Sequence, residues 1–347
     1  MTYDGPYADI HCHGESNAWL DGILAARDGR PPYNWDSWRQ GLGDIPTGPG
    51  RIATLVGPMT NATRDALLDQ PEWSNLVLSA CLSHAADSGA ILVELRVGWK
   101  AVLTPGFLDR FRQAEVRVRE SHPSFVAEPI LSGAWPARQG AEEAFEACLA
   151  LGPQGFAGID FIAAPYEEEL DWAAAHRWAD RFSSAGFGIT VHAGEFTGHH
   201  LVPALETPGV SRIGHGVALA REPLLLQQVA DRGIVVECCP TSNVLLGAVE
   251  NLEAHPIARF LDGGVLITIN TDNPARMGTT IRREYALGSR LGLTDDQLRK
   301  ATETAITSSF TAEQNRLSLL SSVDAPVPRS RPPTKPGIGH CQPAPDV

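Results

Sequence analysis

Eight short apolar, β-branched runs recur along this chain, at 7–11, 91–97, 125–131, 156–162, 188–192, 211–215, 234–239 and 265–271. Stretches patterned for helix lie between or after most of them, at 60–89, 106–120, 138–151, 167–186, 222–232, 255–262, 278–291 and 295–308. Asn61 or Thr63 offers a cap for the first of these, and Thr294-Asp295-Asp296 caps and acidifies the start of the last. Strands that alternate with helices must run parallel, because each crossover carries the chain back to the same end of the sheet. Eight such units predict a closed (β/α)8 TIM barrel of class α/β. An open doubly wound sheet is the alternative. The absence of a Gly-x-Gly-x-x-Gly after the first run argues against its dinucleotide-binding form.

Residues 14–50 are rich in Gly, Pro, Asp and Trp and read as a helical insertion after strand 1, either walling a site or packing at the surface. The barrel domain is expected over 1–321. Residues 322–347 are Pro-rich and non-periodic and are expected to be a disordered tail.

The 347 residues are 43% hydrophobic, enough for a large core. A net charge of −13 argues against nucleic acid or an anionic membrane as a partner. No apolar run has the roughly 18 residues of a membrane span, and no signal peptide is visible at the start, so a cytoplasmic location is expected. Six scattered cysteines without a Cys-x-x-Cys read as free thiols in a reducing compartment.

Chemistry-bearing residues collect where the apolar runs end. His11 and His13 are two apart in a strand, so both side chains project from one face, roughly 6.5 Å apart at the backbone. His192 ends the fifth run, His215 the sixth between Gly214 and Gly216, and Asp272 follows the eighth. Three imidazoles and one carboxylate suit Zn²⁺, or a neighbouring ion such as Fe²⁺ or Co²⁺. In a barrel, all would meet at the C-terminal face, where barrel enzymes hold their sites. Glu195 lies one loop step past His192, placed to relay protons beside such a centre. Glu94 and Arg96 read as an inward core salt bridge, His199 and His200 as surface residues. His84, His122, His176, His255 and His340 lack a ligand-like context.

Asp9-Ile-His-Cys-His13, Val191-His-Ala-Gly-Glu195, Arg212-Ile-Gly-His-Gly216, Glu237-Cys-Cys-Pro-Thr-Ser-Asn243 and Asn270-Thr-Asp-Asn-Pro274 occur in the order of the adenosine deaminase family. Gly278-Thr-Thr, Glu284-Tyr285 and Ser308-Ser-Phe310 also resemble that family, and the likeness spans about 7–312. It implies one zinc per chain on His11, His13, His192 and Asp272, with Glu195 as the proton shuttle to N1 of a 6-aminopurine. His215 would hold or deprotonate the attacking water, and Gly194 and Asn273 would face the heterocycle. The absence of Lys between Lys100 and Lys300 leaves no carboxylated lysine to bridge a second metal.

Three departures from the family pattern fall on its substrate side. Asn273 stands where a second acid is usual, Glu15 where a sugar-binding Asp is usual, and Ile162-Ala-Ala-Pro-Tyr166 replaces Ala-Gly-Asp-Glu. The expected function is therefore zinc-dependent hydrolytic deamination of adenosine or an adenosine-like nucleoside, with ammonia released. The alternatives are deamination of another amino-heterocycle or modified nucleoside, hydrolysis of an amide or ester, and a nucleoside-binding barrel without turnover. The expected partner is a small nucleoside-like substrate.

Overall fold

The computed structural model describes residues 3–56, 71–135, 140–164, 166, 168 and 170–324. The expected caps Asn61 and Thr63, Cys341, His340 and most of the Pro-rich tail lie outside these residues. Eight strands pair in sequence order, each parallel to the next: β1 (Tyr7–His13), β2 (Ala90–Gly98), β3 (Val126–Trp135), β4 (Gly158–Ala163), β5 (Gly188–Ala193), β6 (Val210–His215), β7 (Val235–Cys238) and β8 (Ile267–Ile269). Helices cover the outer faces of the strands, which are apolar, while alternate positions turned into the barrel carry the buried polar residues Glu94, Arg96, Asp160, Thr190, Arg212 and Glu237. The ring closes between β8 and β1 without a regular ladder. A parallel bridge joins Cys12 to Asp272, and the Asn270 and Asp9 side chains accept from the backbone N–H groups of Ile10 and Thr271. The barrel is the α/β fold expected from the alternation.

The insertion after β1 forms α1 (Ser16–Asp28), α2 (Trp35–Gly41) and α3 (Pro49–Val56). Trp38, Leu42 and Leu55 pack on Leu246 and Met277, which follow β7 and β8. The Gly48 N–H donates to the Leu246 carbonyl at 2.7 Å, and Arg51 donates to that of Leu245 at 2.7 Å. The insertion therefore walls the C-terminal end of the barrel.

The outer layer continues with α4 (Pro71–Asp87), α5 (Lys100–Leu103), α6 (Phe107–Arg119), α7 (Ala141–Leu151), α8 (Trp172–Ser184), α9 (Leu201–Leu205), α10 (Pro223–Asp231), α11 (Pro240–Leu245), α12 (Ile257–Asp262), α13 (Pro274–Met277), α14 (Ile281–Arg290), α15 (Asp295–Ser308) and α16 (Glu313–Asp324). Asp171 caps α8 by accepting from the Ala174 N–H at 3.1 Å. Thr294 and Gln297 form a reciprocal capping box on α15. The sequence reading did not include α16, which buries Leu319 and Val323 against Ala8, Ile10 and Leu92. Cys12, Cys81, Cys148, Cys238 and Cys239 are buried free thiols.

At the N-terminal end of the barrel, Phe310 seals the floor. Its ring lies 3.6 Å beneath the Arg212 guanidinium, a cation–π contact, and fills the space left by Gly158 and Gly188. A Cβ at Gly188 would overlap that ring, whereas one at Gly22, exposed on α1, meets nothing within 4 Å. Gly188→Ala is expected to cost about 1–3 kcal/mol by overpacking. Gly22→Ala should gain about 1 kcal/mol from helix propensity. Denaturant unfolding of the two variants checks the contrast, and equal midpoints would remove Phe310 as the seal.

Candidate active site

The strand ends bring the expected residues together. His11 and His13 leave β1 on one face, His192 comes from β5 and His215 from the end of β6. Asp272 is placed by its own backbone, its N–H donating to the His11 carbonyl at 2.8 Å and its carbonyl accepting from His13 at 2.6 Å. Among the described residues, the non-glycine positions with positive φ are Glu15 at 35°, His215 at 63° and Asp272 at 61°. All three belong to the site, where backbone strain is held in place by surrounding packing.

His13 Nε2 lies 3.2 Å from His192 Nε2 and 3.4 Å from Asp272 Oδ1, and His11 Nε2 lies 3.8 Å from that same oxygen. The ligand atoms of His11, His13 and His192 all lie within 4.8 Å of one another. Donors about 2.1 Å from a tetrahedral zinc would stand about 3.4 Å apart, so the spacings of these residues fit a metal ion. His11 Nε2 is buried and has no hydrogen-bond partner. A lone pair in that position asks for a cation. His11, His215 and Asp272 form a second convergent group.

The imidazoles are held from behind. The His11 Nδ1–H donates to Glu237 Oε2 at 2.7 Å, and the His192 Nδ1–H donates to Asp160 Oδ1 at 2.8 Å. Each carboxylate leaves the Nε2 lone pair of its histidine turned toward the site. Burial lowers the pKa of His11 and His13, aided by the nearby Arg96 charge and the neighbouring imidazoles, and so favours the neutral, ligand-competent rings. Burial alone would raise Asp160, but its interactions with His192 and the Arg96 guanidinium hold it well below the usual carboxylate range. Ser242 donates to Asp272 Oδ2 at 2.5 Å, and the Asn273 amide donates to Oδ1 at 2.6 Å.

Glu195 is 4% exposed. Its Oε1 lies 3.8 Å from His215 Nε2 and has no hydrogen-bond partner. Burial raises its pKa well above the ordinary value, and the Asp272 carboxylate adds to the rise. The nearby Tyr166 phenol opposes them. The Tyr166 ring packs edge-on against Phe196, centroids 4.9 Å apart, and its carbonyl accepts from Thr197 at 3.0 Å. Glu15 is buried with both oxygens on the first turn of α13, accepting from the N–H groups of Ala275 at 2.8 Å and Arg276 at 3.1 Å. Burial lifts its pKa to about 7, against the opposing pull of Arg276 and those N–H groups. Gly194, at φ 70°, runs against Leu201, and a Cβ at Gly214 would come within 2.9 Å of His11.

Several sequence expectations change. Arg96 pairs with Asp160 at 3.0 Å and Glu237 at 2.6 Å, and Glu94 pairs with Arg212 at 2.6 Å, so Glu94 and Arg96 do not form the expected bridge with each other. His200 is buried beside Trp172 rather than on the surface, while His199 is exposed. His255 is buried and contacts Asn243, a context that sequence position did not suggest. Asp160, Glu237, Ser242 and Asn243 support the site, although none was singled out for that role. Their available signal was a polar or charged residue inside or just after an otherwise apolar run.

Ser242→Ala is expected to weaken divalent-metal binding about 10- to 100-fold, because Asp272 loses the donor that orients it. Chelator competition measures this, and unchanged affinity would remove Ser242 from the metal's support.

The family model for adenosine deaminase matches residues 134–326, more than half of the chain. An adenine deaminase of Rhizobium rhizogenes is 41% identical over 157 residues, 44% of this chain and 49% of that protein. An adenosine deaminase of Klebsiella pneumoniae is 33% identical over 252 residues, 70% of this chain and 74% of that one. The chain thus spans about half the length of the first of these curated relatives and three quarters of the second. The crystal structure of an adenine deaminase from Arthrobacter aurescens superposes with a TM-score of 0.76 at 23% identity, covering 92% of this chain and 98% of that one. With its site motifs in order on the same barrel, the chain belongs to the adenosine deaminase family.

Proposed function

We propose that this protein is a zinc-dependent hydrolytic deaminase of adenosine or an adenosine-like 6-aminopurine nucleoside, releasing ammonia. The observation that carries the reading is one arrangement. The ligand atoms of His11, His13 and His192 lie within 4.8 Å of one another, Asp272 Oδ1 stands 3.4 Å from His13 and 3.8 Å from His11, and a buried carboxyl of raised pKa, Glu195, faces His215 beside them. His11, His13, His192 and Asp272 would hold the ion. The three-nitrogen, one-oxygen donor set favours zinc among the divalent metals that such ligands accept. A bound ion supplies a Lewis acid that lowers the pKa of water from about 15.7 to about 7.

The protein's own residues then have distinct tasks. Glu195 carries a proton in its dry pocket and donates it to the ring nitrogen beside the amine-bearing carbon. That protonation makes the carbon electrophilic and spares the ring a negative charge. His215, at the end of the neighbouring strand β6, holds the attacking oxygen. Gly194 presents backbone to the heterocycle, and Asn273 retains one amide hydrogen and its carbonyl for it. The fit to purine chemistry rests on the Glu195 carboxyl being protonated, which burial and the Asp272 charge favour.

A second reading is favoured by Tyr166. A phenol beside Glu195 occupies part of the substrate side of the site, where the family pattern has smaller or acidic residues. Another amino-heterocycle or a modified nucleoside then becomes the substrate, with the same proton chemistry.

Ammonia release from the zinc-loaded protein is to be measured with adenosine, 2′-deoxyadenosine, adenine, AMP, 5′-methylthioadenosine and non-purine aminoheterocycles. Turnover of the purine nucleosides supports the first reading, and turnover confined to other rings supports the second. Glu195→Gln should lose about 10²- to 10⁴-fold in kcat while retaining the metal. Full activity in that variant would sink the mechanism.

A further inference from the structure

We propose that Asn243 and His255 are positioning residues that fix the tautomer of His215, making its Nε2 a hydrogen-bond donor toward Glu195 and the reacting atoms. The proposal deepens the deaminase reading and rests on it for its consequence, though not for its geometry.

The chain of donors starts at a group that has no choice. The backbone N–H of Ile257, at the start of α12, donates to His255 Nδ1 at 3.3 Å. A peptide N–H only donates, so Nδ1 must carry the lone pair. His255 is 5% exposed, and burial pushes its pKa down to about 4, so the ring is neutral. Its single ring proton therefore sits on Nε2.

That nitrogen lies 3.1 Å from Asn243 Oδ1, which must be the carbonyl oxygen because it receives the proton. The orientation of the Asn243 amide is thereby settled by its partner. Its other end, Nδ2, lies 3.1 Å from His215 Nδ1. An amide nitrogen only donates, so His215 Nδ1 accepts and the proton of the neutral ring resides on Nε2. Nε2 is the atom that faces Glu195 Oε1.

The same logic gives the opposite result for two neighbouring imidazoles. The ring centroid of His215 lies 4.8 Å from that of His11 and 5.2 Å from that of His192. Those two rings are backed by the carboxylates Glu237 and Asp160, which only accept, so their protons sit on Nδ1 and their Nε2 lone pairs face the site. An amide behind one ring and carboxylates behind the other two thus sort three histidines of one cluster. The carboxylate-backed pair is set to ligate. The amide-backed His215 is set to donate, with no Nε2 lone pair available to compete for the ion as part of the second convergent group. Asn243 is 0% exposed on α11, and His255 reaches it from the loop before α12, so the relay is built entirely outside the ligand set.

The test is long-range ¹H–¹⁵N correlation on the zinc-loaded full chain labelled with ¹⁵N-histidine, His215 being assigned by its loss in His215→Asn. Wild type is expected to show an imine-type Nδ1 and a pyrrole-type Nε2 for His215. Asn243→Asp, which turns the donor into an acceptor, should invert that pattern. It should lower kcat about 10- to 100-fold with little change in KM. His255→Gln, whose side-chain amide can replace the lost N–H, should keep the wild-type pattern, whereas His255→Phe should give a mixture of tautomers. A pyrrole-type Nδ1 for His215 in the wild-type spectrum overturns the proposal, as does an unchanged pattern in Asn243→Asp. If the expected spectra are seen but no aminoheterocycle is turned over, the deaminase reading fails and the relay stands.

Discussion

One carboxylate, Glu237, ties the interior of the barrel to its site. It accepts from His11 at 2.7 Å and Arg96 at 2.6 Å on one oxygen, and meets Arg212 at 2.8 Å and Thr190 at 3.1 Å on the other. Strands β1, β2, β5 and β6 therefore converge on a side chain of β7. Around it, two guanidiniums face three carboxylates, Glu94, Asp160 and Glu237, all fully buried. Such networks are poor sources of stability, because desolvation offsets most of the attraction. Their effect here is positional. Two of the three carboxylates continue into His11 and His192, so the strand register of the core and the orientation of those rings cannot vary separately. Neutral histidines around an anionic core leave the site suited to a cation.

Barrel closure depends on the same residues. Between β8 and β1 the ladder is replaced by the Asp272 backbone and by the Asp9 and Asn270 side chains. Asp272 thus closes the sheet with its peptide and turns its side chain toward His11 and His13, at a φ that few non-glycine residues adopt. Asp9, also buried, takes the Thr271 hydroxyl at 2.5 Å, and burial lifts its pKa to about 7 against that bond. The first and last motifs of the chain, distant in sequence, are two halves of one seam.

This division explains what the sequence made legible. Strands and long helices were readable because their apolar periods are local, and the clustered His and Asp residues because they fall where apolar runs stop. β7 and β8 are shorter than their apolar runs because their ends turn into α11 and into the Asp272 loop. The short helices α9, α11 and α13 have too few turns to display a period. Helix α16 is nearly without amphipathic patterning yet docks on the floor beside β1 and β2. Pairings across the barrel were not readable. Glu94 and Arg96 share a strand face, but their partners come from β4, β6 and β7, and nothing local in the sequence selects those strands. His255 lacks every mark of a functional histidine in sequence because its role depends on an amide twelve residues away in the chain.

The departures from the family pattern follow the same boundary. Asp160, His192, Glu237 and His11 are locked by buried strand partners, and altering any of them leaves another buried charge or lone pair unsatisfied. Tyr166, Glu15 and Asn273 sit beyond the strand ends. Tyr166 leans on Phe196, Glu15 holds the start of α13, and Asn273 holds Asp272. These positions can change volume and hydrogen-bonding character without disturbing Glu237 or its partners. A barrel built this way can keep its proton chemistry while its substrate side is rebuilt, which accounts for intact site motifs beside an unusual pocket in one chain.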